Sequence, residues 1–349
     1  MAKNTGLTVS NIQKKIYNIH LKDTPYASLQ HLVPNIPHAV ISFELHQASV
    51  AFANAIRRCL TNELELKYLT VDMADIDIPN GTNIVKEVVL QRIESIPINQ
   101  SISPNETFKL YKNNNTLEWI DVNSDSILPI SKKAEKKDKK EKKEKKEKNS
   151  KPENAHKLFT DKITICSLDV NQYICIDNIH IASARGKDNG RAALGIIGFK
   201  VLNQDMNVSS LTVHPTSFQF RMETNGNFNQ ALMDPIYMVI GDLERRLTII
   251  ENALKGEEYD QGVHYSTEFN VFKLFVPNES HTIGNLMKQY IYNLDPSIEY
   301  VNYRIIHPSK EEMVVDIKNH TDPKKICMDA ITSIKKDLHT FESFFMKNE

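Results

Sequence analysis

Cysteine is scarce in this 349-residue chain. Cys59, Cys166, Cys175 and Cys327 are the four present, and no two of them form a Cys-x-x-Cys pair. Thiols this few and this scattered supply neither a disulfide framework nor the local ligand set of a structural zinc site. Long apolar runs are missing as well. The longest, Ala192 to Leu202, carries Lys200 and falls far short of the roughly 20 apolar residues that cross a membrane as a helix. The amino-terminal residues MAKNTGLTVSNIQKK lack the apolar stretch of a secretory signal. Glycine is thin, with 11 residues, and Gly186, Gly190, Gly195 and Gly198 do not fall in the spacing of a phosphate-binding loop. We therefore expect a soluble protein of a reducing compartment, with no membrane span, metal or cofactor.

What is present is ordinary in bulk and uneven in place. Hydrophobic residues make up 40% and charged residues 25%, as in a globular protein. At roughly 150 residues per domain, the length points to two or three domains. The formal net charge is -1, yet residues 132–151 hold twelve Lys against four Glu and one Asp, which leaves the rest of the chain at -8. The folded part is thus acidic, which argues against a polyanion-binding surface over the whole protein. The tract itself has almost no apolar surface to bury, so it is expected to be disordered. It reads either as a solvated loop insertion or as a tether for nucleic acid or an acidic partner.

Between Thr70 and Ile130 the sequence reads as strands and turns. Val88-Val89-Leu90 and Ile93–Ile98 are apolar runs, and Asn80-Gly81 is a turn signal. Lys162–Cys166 and Tyr173–Ile176 are further strand candidates. Two helices stand out. Ile236, Ile240, Leu243, Leu247, Ile250 and Leu254 step by 4, 3, 4, 3, 4, and Cys327, Ile331, Ile334, Leu338, Phe341 and Phe345 step identically. Each is an apolar seam opened by Asp-Pro, with charged residues such as Asp242, Glu244, Arg245 and Arg246 placed off it. Each seam packs either on its own sheet or on the other seam. The chain also repeats weakly. Phe43-Glu44-Leu45 leads into Ala53-Asn54-Ala55-Ile56-Arg57-Arg58, and Phe272-Lys273-Leu274 leads into His281-Thr282-Ile283-Gly284-Asn285-Leu286-Met287. Each strand–helix unit is later followed by a strand and a seam helix, so the pattern predicts two related α+β units, the first with a large β insertion.

These motifs resemble the α-type assembly subunits of multisubunit RNA polymerases. Residues 43–45 with 50–58 resemble the first strand and helix of that family, which includes the archaeal D subunit and the third-largest subunit of polymerase II. Val89–Ile98 resembles the Arg-Ile…Ile-Pro strand of its insert domain, and residues 184–193 the loop where the insert returns. His281–Leu286 and Tyr303–Pro308 resemble the small partner, the eleventh subunit or archaeal L. Both partners in one chain are similar to the fused subunit of large cytoplasmic DNA virus polymerases of African swine fever virus type.

The resemblance implies an α+β fold of two dimerisation units forming an intramolecular pseudo-dimer. Its expected divisions are an N-terminal extension at 1–37, a first dimerisation domain at 38–76 with 191–256, and an inserted antiparallel β domain at 77–190 whose lysine-rich loop is 131–153. A linker at 257–266 and a second dimerisation domain at 267–349 follow. Helices at 49–66, 234–254, 282–294 and 323–345 form one layer, with Ala53, Ile56, Leu60, Ile236, Ile240, Leu243, Leu247, Ile250, Ile283, Leu286, Met287, Tyr290, Ile331, Ile334, Leu338 and Phe341 at the internal interface. Arg57, Arg58, Arg92, Arg185, Lys187 and Arg191 are expected at partner subunits. Plain charged faces or a phosphate-binding turn are the alternatives for those cations. The implied partners are the second-largest polymerase subunit and small zinc-binding subunits, with the largest subunit and DNA reached only through the complex. The implied location is host cytoplasm and virion. No catalytic set emerges: Asp72, Asp75 and Asp77 read as solvated residues or a cation site, and His281 reads either as a general base with no nucleophile motif beside it or, with Thr282, as the cap or packing of a helix start. The competing function is a stand-alone nucleic-acid-binding protein that uses the lysine-rich tract.

Overall fold

A computed structural model describes residues 6–17, 38–79, 81–100, 102–130, 163–190, 195–202, 215–225, 234–256, 262–294, 298–307, 310–318 and 322–346. Arg191, Asn80, the tract at 131–153 and residues 257–261 lie outside them. In chain order the elements begin with β1 (Thr8–Tyr17), β2 (His38–His46) and α1 (Val50–Arg58). Next come β3 (Glu65–Thr70), β4 (Ile76–Asp77), α2 (Lys86–Glu94), β5 (Thr107–Asn113), β6 (Ile120–Asn123), β7 (Ile127–Pro129), β8 (Thr164–Leu168) and β9 (Tyr173–Arg185). Then follow β10 (Gly195–Val201), β11 (Ser217–Asn225) and α3 (Asp234–Lys255). The chain ends with β12 (His264–Glu268), β13 (Val271–Pro277), α4 (His281–Leu294), β14 (Tyr300–His307), β15 (Lys310–Lys318) and α5 (Pro323–Met346).

Two four-stranded antiparallel sheets share one plan. The first runs β1-β2-β11-β10 and the second β12-β13-β15-β14. In each, the second strand leads into a helix (α1 or α4), and the third in spatial order leads into a seam helix (α3 or α5). Alternation sets the faces: along β13, Phe272, Leu274 and Val276 are buried while their neighbours are half-exposed, the period of a strand with one wet side. The helices of both sheets contribute to a single hydrophobic core, which takes in Phe43, Phe220, Leu247, Leu286, Val315 and Leu338.

A third unit lies between β3 and β9. Its main sheet is β3-β9-β5-β7, with β4 also on β9, and β6 pairs with β8 beside it. This unit has its own core around Leu69, Ile93, Phe108, Ile165 and Ile179.

Several expectations are corrected. Val88–Leu90 and Ile93–Glu94 are not strand but lie in α2, because Val89 and Ile93 sit four residues apart and dock together on the insert core. Tertiary burial of that face outweighs the β preference of valine and isoleucine. The helix expected over 49–66 ends earlier: α1 gives way to one wide turn at Cys59–Glu63, and β3 starts at Glu65. Residues 8–17 are not a mere extension but the edge strand β1, paired with β2 from Thr8↔His46 to Tyr17↔His38. The linker expected at 257–266 is cut short by β12, which pairs with β13 from His264↔Phe275. Residues 65–70, assigned to the first dimerisation domain, pair with β9 of the inserted unit.

Candidate assembly interface

The interface is built by four helices. Ser49 caps α1 through its hydroxyl, which accepts a bond from Phe52 N, and this sets Ala53 and Ile56 on the buried side. Helix α1 meets α4, α4 meets α5, α5 meets α3, and α3 closes on the 59–63 turn that follows α1. The contacts α1–α4 and α3–α5 join the two sheet units to each other. Ile236, Ile240, Leu243, Leu247 and Ile250 of α3 are buried, as are Ile331, Ile334, Leu338 and Phe341 of α5. Ile283, Leu286 and Met287 of α4 and Leu60 of the turn are buried too. Tyr290 is half-buried, and its hydroxyl donates to Asp337 at 2.6 Å, so its polar contact ties α4 to α5 within the second unit.

Aromatic rings and ion pairs extend the junction. Phe345 stands edge-on to Phe43 at 5.2 Å, and Phe341 stands edge-on to both Phe43 (5.7 Å) and Phe52 (6.1 Å). The last helix thus packs on the first sheet and first helix. Lys335 of α5 pairs with Glu251 of α3 at 2.6 Å, and His339 approaches Glu244 at 3.3 Å. Helix α4 lies tight on its own sheet, since a Cβ added to Gly284 would come within 2.4 Å of the Tyr303 ring.

At the centre sits an ionic cluster that sequence reading missed. Arg246, expected among the charged residues off the apolar seam, is 7% exposed. Its Nε and Nη2 donate to the two oxygens of Glu279 at 2.8 and 2.5 Å, and Nη1 donates to Glu63 at 2.8 Å. Glu63 also accepts from the Thr282 hydroxyl at 2.5 Å and from Arg58 at 3.2 Å, and Arg58 Nε donates to Thr282 Oγ1 at 2.8 Å. The cluster therefore joins the turn after α1, α3, and the segment entering α4. Burial alone would raise the Glu63 carboxyl, but Arg246 and the Thr282 bond outweigh it and hold the group below the usual carboxylate range. Burial disfavours the charged Arg246, and its bonds to Glu279 more than offset this, raising it further. Nearby, Cys59 is pushed well up by burial and by Asp242, so it is a thiol and not a reactive thiolate. One signal could have revealed Arg246: Val239, Leu243, Arg246 and Ile250 lie three or four apart, on one face of α3.

The expected partner-binding cations divide. Arg57 donates to Asn54 at 3.1 Å within α1, while Arg58 turns inward to the cluster. Lys187 N donates to Asn62 O at 2.9 Å, bringing the turn with Arg185 and Lys187 against the end of α1. Only glycine fits there, because a Cβ on Gly186 would meet the Thr61 carbonyl at 2.7 Å. Arg92 lies apart, on α2, and donates to the Ile165 carbonyl at 2.9 Å. His281 packs at the start of α4, its ring edge-on to Tyr303 at 5.8 Å, and Thr282 serves the cluster. Asp77 accepts from the Tyr173 hydroxyl and Asp75 from Asn178, so these carboxylates turn to separate partners. Among the described residues no group of His, Cys, Asp and Glu is placed to hold a metal ion, and no helix is long and apolar enough to cross a membrane.

Residues 272–343 match the RNA polymerase Rpb3/Rpb11 dimerisation domain, the segment that supplies most of β13, α4, β14, β15 and α5. The DNA-directed RNA polymerase RPB3-11 homolog of African swine fever virus isolate Warthog/Namibia/Wart80/1980 is 23% identical over 345 residues, covering 90% of this chain and 88% of that protein. Its counterpart in the Badajoz 1971 Vero-adapted strain is 22% identical over 343 residues, with the same coverage. The DNA-directed RNA polymerase subunit Rpo11 of Sulfurisphaera tokodaii is 28% identical over 74 residues, 21% of this chain and 78% of that one. Over nine-tenths of its length, then, the chain resembles a fused Rpb3/Rpb11-like viral RNA polymerase subunit, and its second half carries the dimerisation domain of that family.

Proposed function

We propose that this chain is a non-catalytic assembly-platform subunit of a DNA-dependent RNA polymerase, acting in transcription. The observation that carries this reading is the dimerisation-domain match, laid over a helix set that joins two sheets of one plan. In this reading the two units form an internal pseudo-dimer, with α1 answering to α4 and α3 to α5, as a twofold pairing requires. Residues 8–63 with 195–256 supply the first unit, 65–185 the insertion, and 264–346 the second unit. A covalent tether of about ten residues raises the effective concentration of one unit for the other to the millimolar range.

The outer faces then receive the larger subunits. Arg57, with Arg185 and Lys187 beside it, forms a basic edge at the end of α1 suited to carboxylates of the second-largest subunit. Small zinc-binding subunits complete the platform, and the largest subunit and DNA are reached through them. Host cytoplasm and virion are the corresponding locations. The stand-alone nucleic-acid reading finds no support among the relatives, which carry the names of polymerase subunits. A tagged full-length chain, recovered from cells expressing the polymerase, is expected to bring down the second-largest subunit. Recovery of the chain with no polymerase subunit would overturn the reading.

A further inference from the structure

The inserted unit carries a groove that the helical interface leaves unused. One wall is Val85, the residue before α2, together with Val88 and Arg92 of α2; the floor is Ile165 and Cys166 of β8; Trp119 forms the opposite wall. The cavity holds about 210 Å³, the scale of one large side chain. Trp119, the single tryptophan of the chain, is 76% exposed, and Leu117 beside it is 92% exposed. Val85 and Val88 are exposed too. Exposed apolar side chains gathered around a pocket mark an interaction surface, whereas scattered ones do not.

The loop that displays them is fixed. Asn114 is wholly buried, and its Nδ2 contacts the carbonyls of Glu118, Leu168 and Asp169 at 2.8, 3.1 and 3.0 Å. Its Oδ1 accepts from the backbone and hydroxyl of Thr116 at 2.9 and 2.7 Å, and its own backbone pairs with Gln172 and Asn171. A loop held this way presents Trp119 with little ordering left to do on binding. Across the groove, the bond from Arg92 Nη1 to the Ile165 carbonyl orients an exposed guanidinium, and among the described residues no carboxylate pairs with it. The exposed neighbours Glu87, Glu118 and Asp169 are acidic, which disfavours a phosphate backbone.

We propose that this groove docks a polypeptide segment of another polymerase subunit, one that inserts an aliphatic or aromatic side chain between α2 and Trp119 and sets a nearby Asp or Glu on Arg92. Tryptophan and arginine are the residue types that concentrate binding energy at such sites. The inference rests on the polymerase reading above and adds the surface and the chemistry of its occupant.

The test uses the full chain with Leu117 replaced by p-benzoylphenylalanine, co-expressed with the other subunits and irradiated in polymerase purified through a tag on the largest subunit. The expected result is a crosslink to a second subunit, at a segment where an apolar residue lies within a few positions of a carboxylate. Arg92→Glu with Trp119→Ala should lower its yield about tenfold, as loss of central anchors does, while the chain still co-purifies. Trp119→Phe, which keeps a ring, should retain it. Normal co-purification with crosslinks only within the chain or to nucleic acid, with no crosslink, or with a yield indifferent to the double substitution, overturns the docking proposal alone. Absence of the chain from the purified polymerase overturns the polymerase reading, and this proposal with it.

Discussion

At Arg246 two carboxylates from distant parts of the sequence converge on one buried guanidinium. Removing that cation while Glu63 and Glu279 stay in place leaves Glu279 out of water without its cation and Glu63 with Arg58 and the Thr282 hydroxyl. Arg246→Met is therefore expected to destabilise the chain by about 3–5 kcal/mol, measured by urea unfolding. Replacing Glu63 and Glu279 by apolar residues in the same variant should recover much of the loss, because the desolvation cost disappears with the charges. An Arg246→Met chain as stable as the parent would show that the cluster contributes nothing. The cluster also sets a pH dependence. The Glu63 carboxyl is lowered in the fold from its ordinary value of 4.5, so its contribution is full above that value and is lost as pH falls through the lowered one. The stability difference between the parent and Glu63→Gln should thus be flat between about pH 5 and pH 7 and shrink on further acidification. A difference that grows in acid would contradict an ionised Glu63.

Helices α3 and α5 show how far periodicity reaches as a guide. Their 4-3-4-3-4 spacing gave each an apolar stripe, and all six members of each stripe are buried. Periodicity could not say what each stripe would face. The Phe341 and Phe345 end of α5 reaches the Phe43 and Phe52 rings of the first unit, a contact between residues remote in sequence. Ile240→Asp or Leu338→Asp should each cost about 3 kcal/mol or more, since an unpaired carboxylate would be forced into the core. A compact, normally assembling variant of either kind, judged by gel filtration and subunit recovery, would refute the buried junction. In α2 the local signal misled. Val88, Val89 and Leu90 favour a strand as isolated residues, yet only Val89 is buried and Val88 is exposed, the pattern of a helix resting one face on a sheet.

Across the whole molecule, one core drawn from both sheet units means that neither unit encloses its helices alone. A chain divided into 1–256 and 257–349 and co-expressed should still co-purify, because the shared surface is apolar and buried. On dilution the divided pair should dissociate while the intact chain does not, since cutting the tether removes its effective concentration. Analytical ultracentrifugation over a dilution series reads this directly. Two separately expressed, monomeric and well-folded pieces would argue against a shared core.

The sequence by itself determined the α+β class, the strand–helix repeat, the two seams and the motifs of the second half. Each of these rests on local periodicity or on a short run of residues read in order. Tertiary structure decided the rest. It turned residues 8–17 into an edge strand, because the edge of β2 that β11 does not occupy was there to pair with it. It made a helix of α2, because a half-buried helix covers the insert core. It drew Arg246 inward, because Glu63 and Glu279, unremarkable where they stand in the chain, arrive together only once the two units close on one another and shut water out.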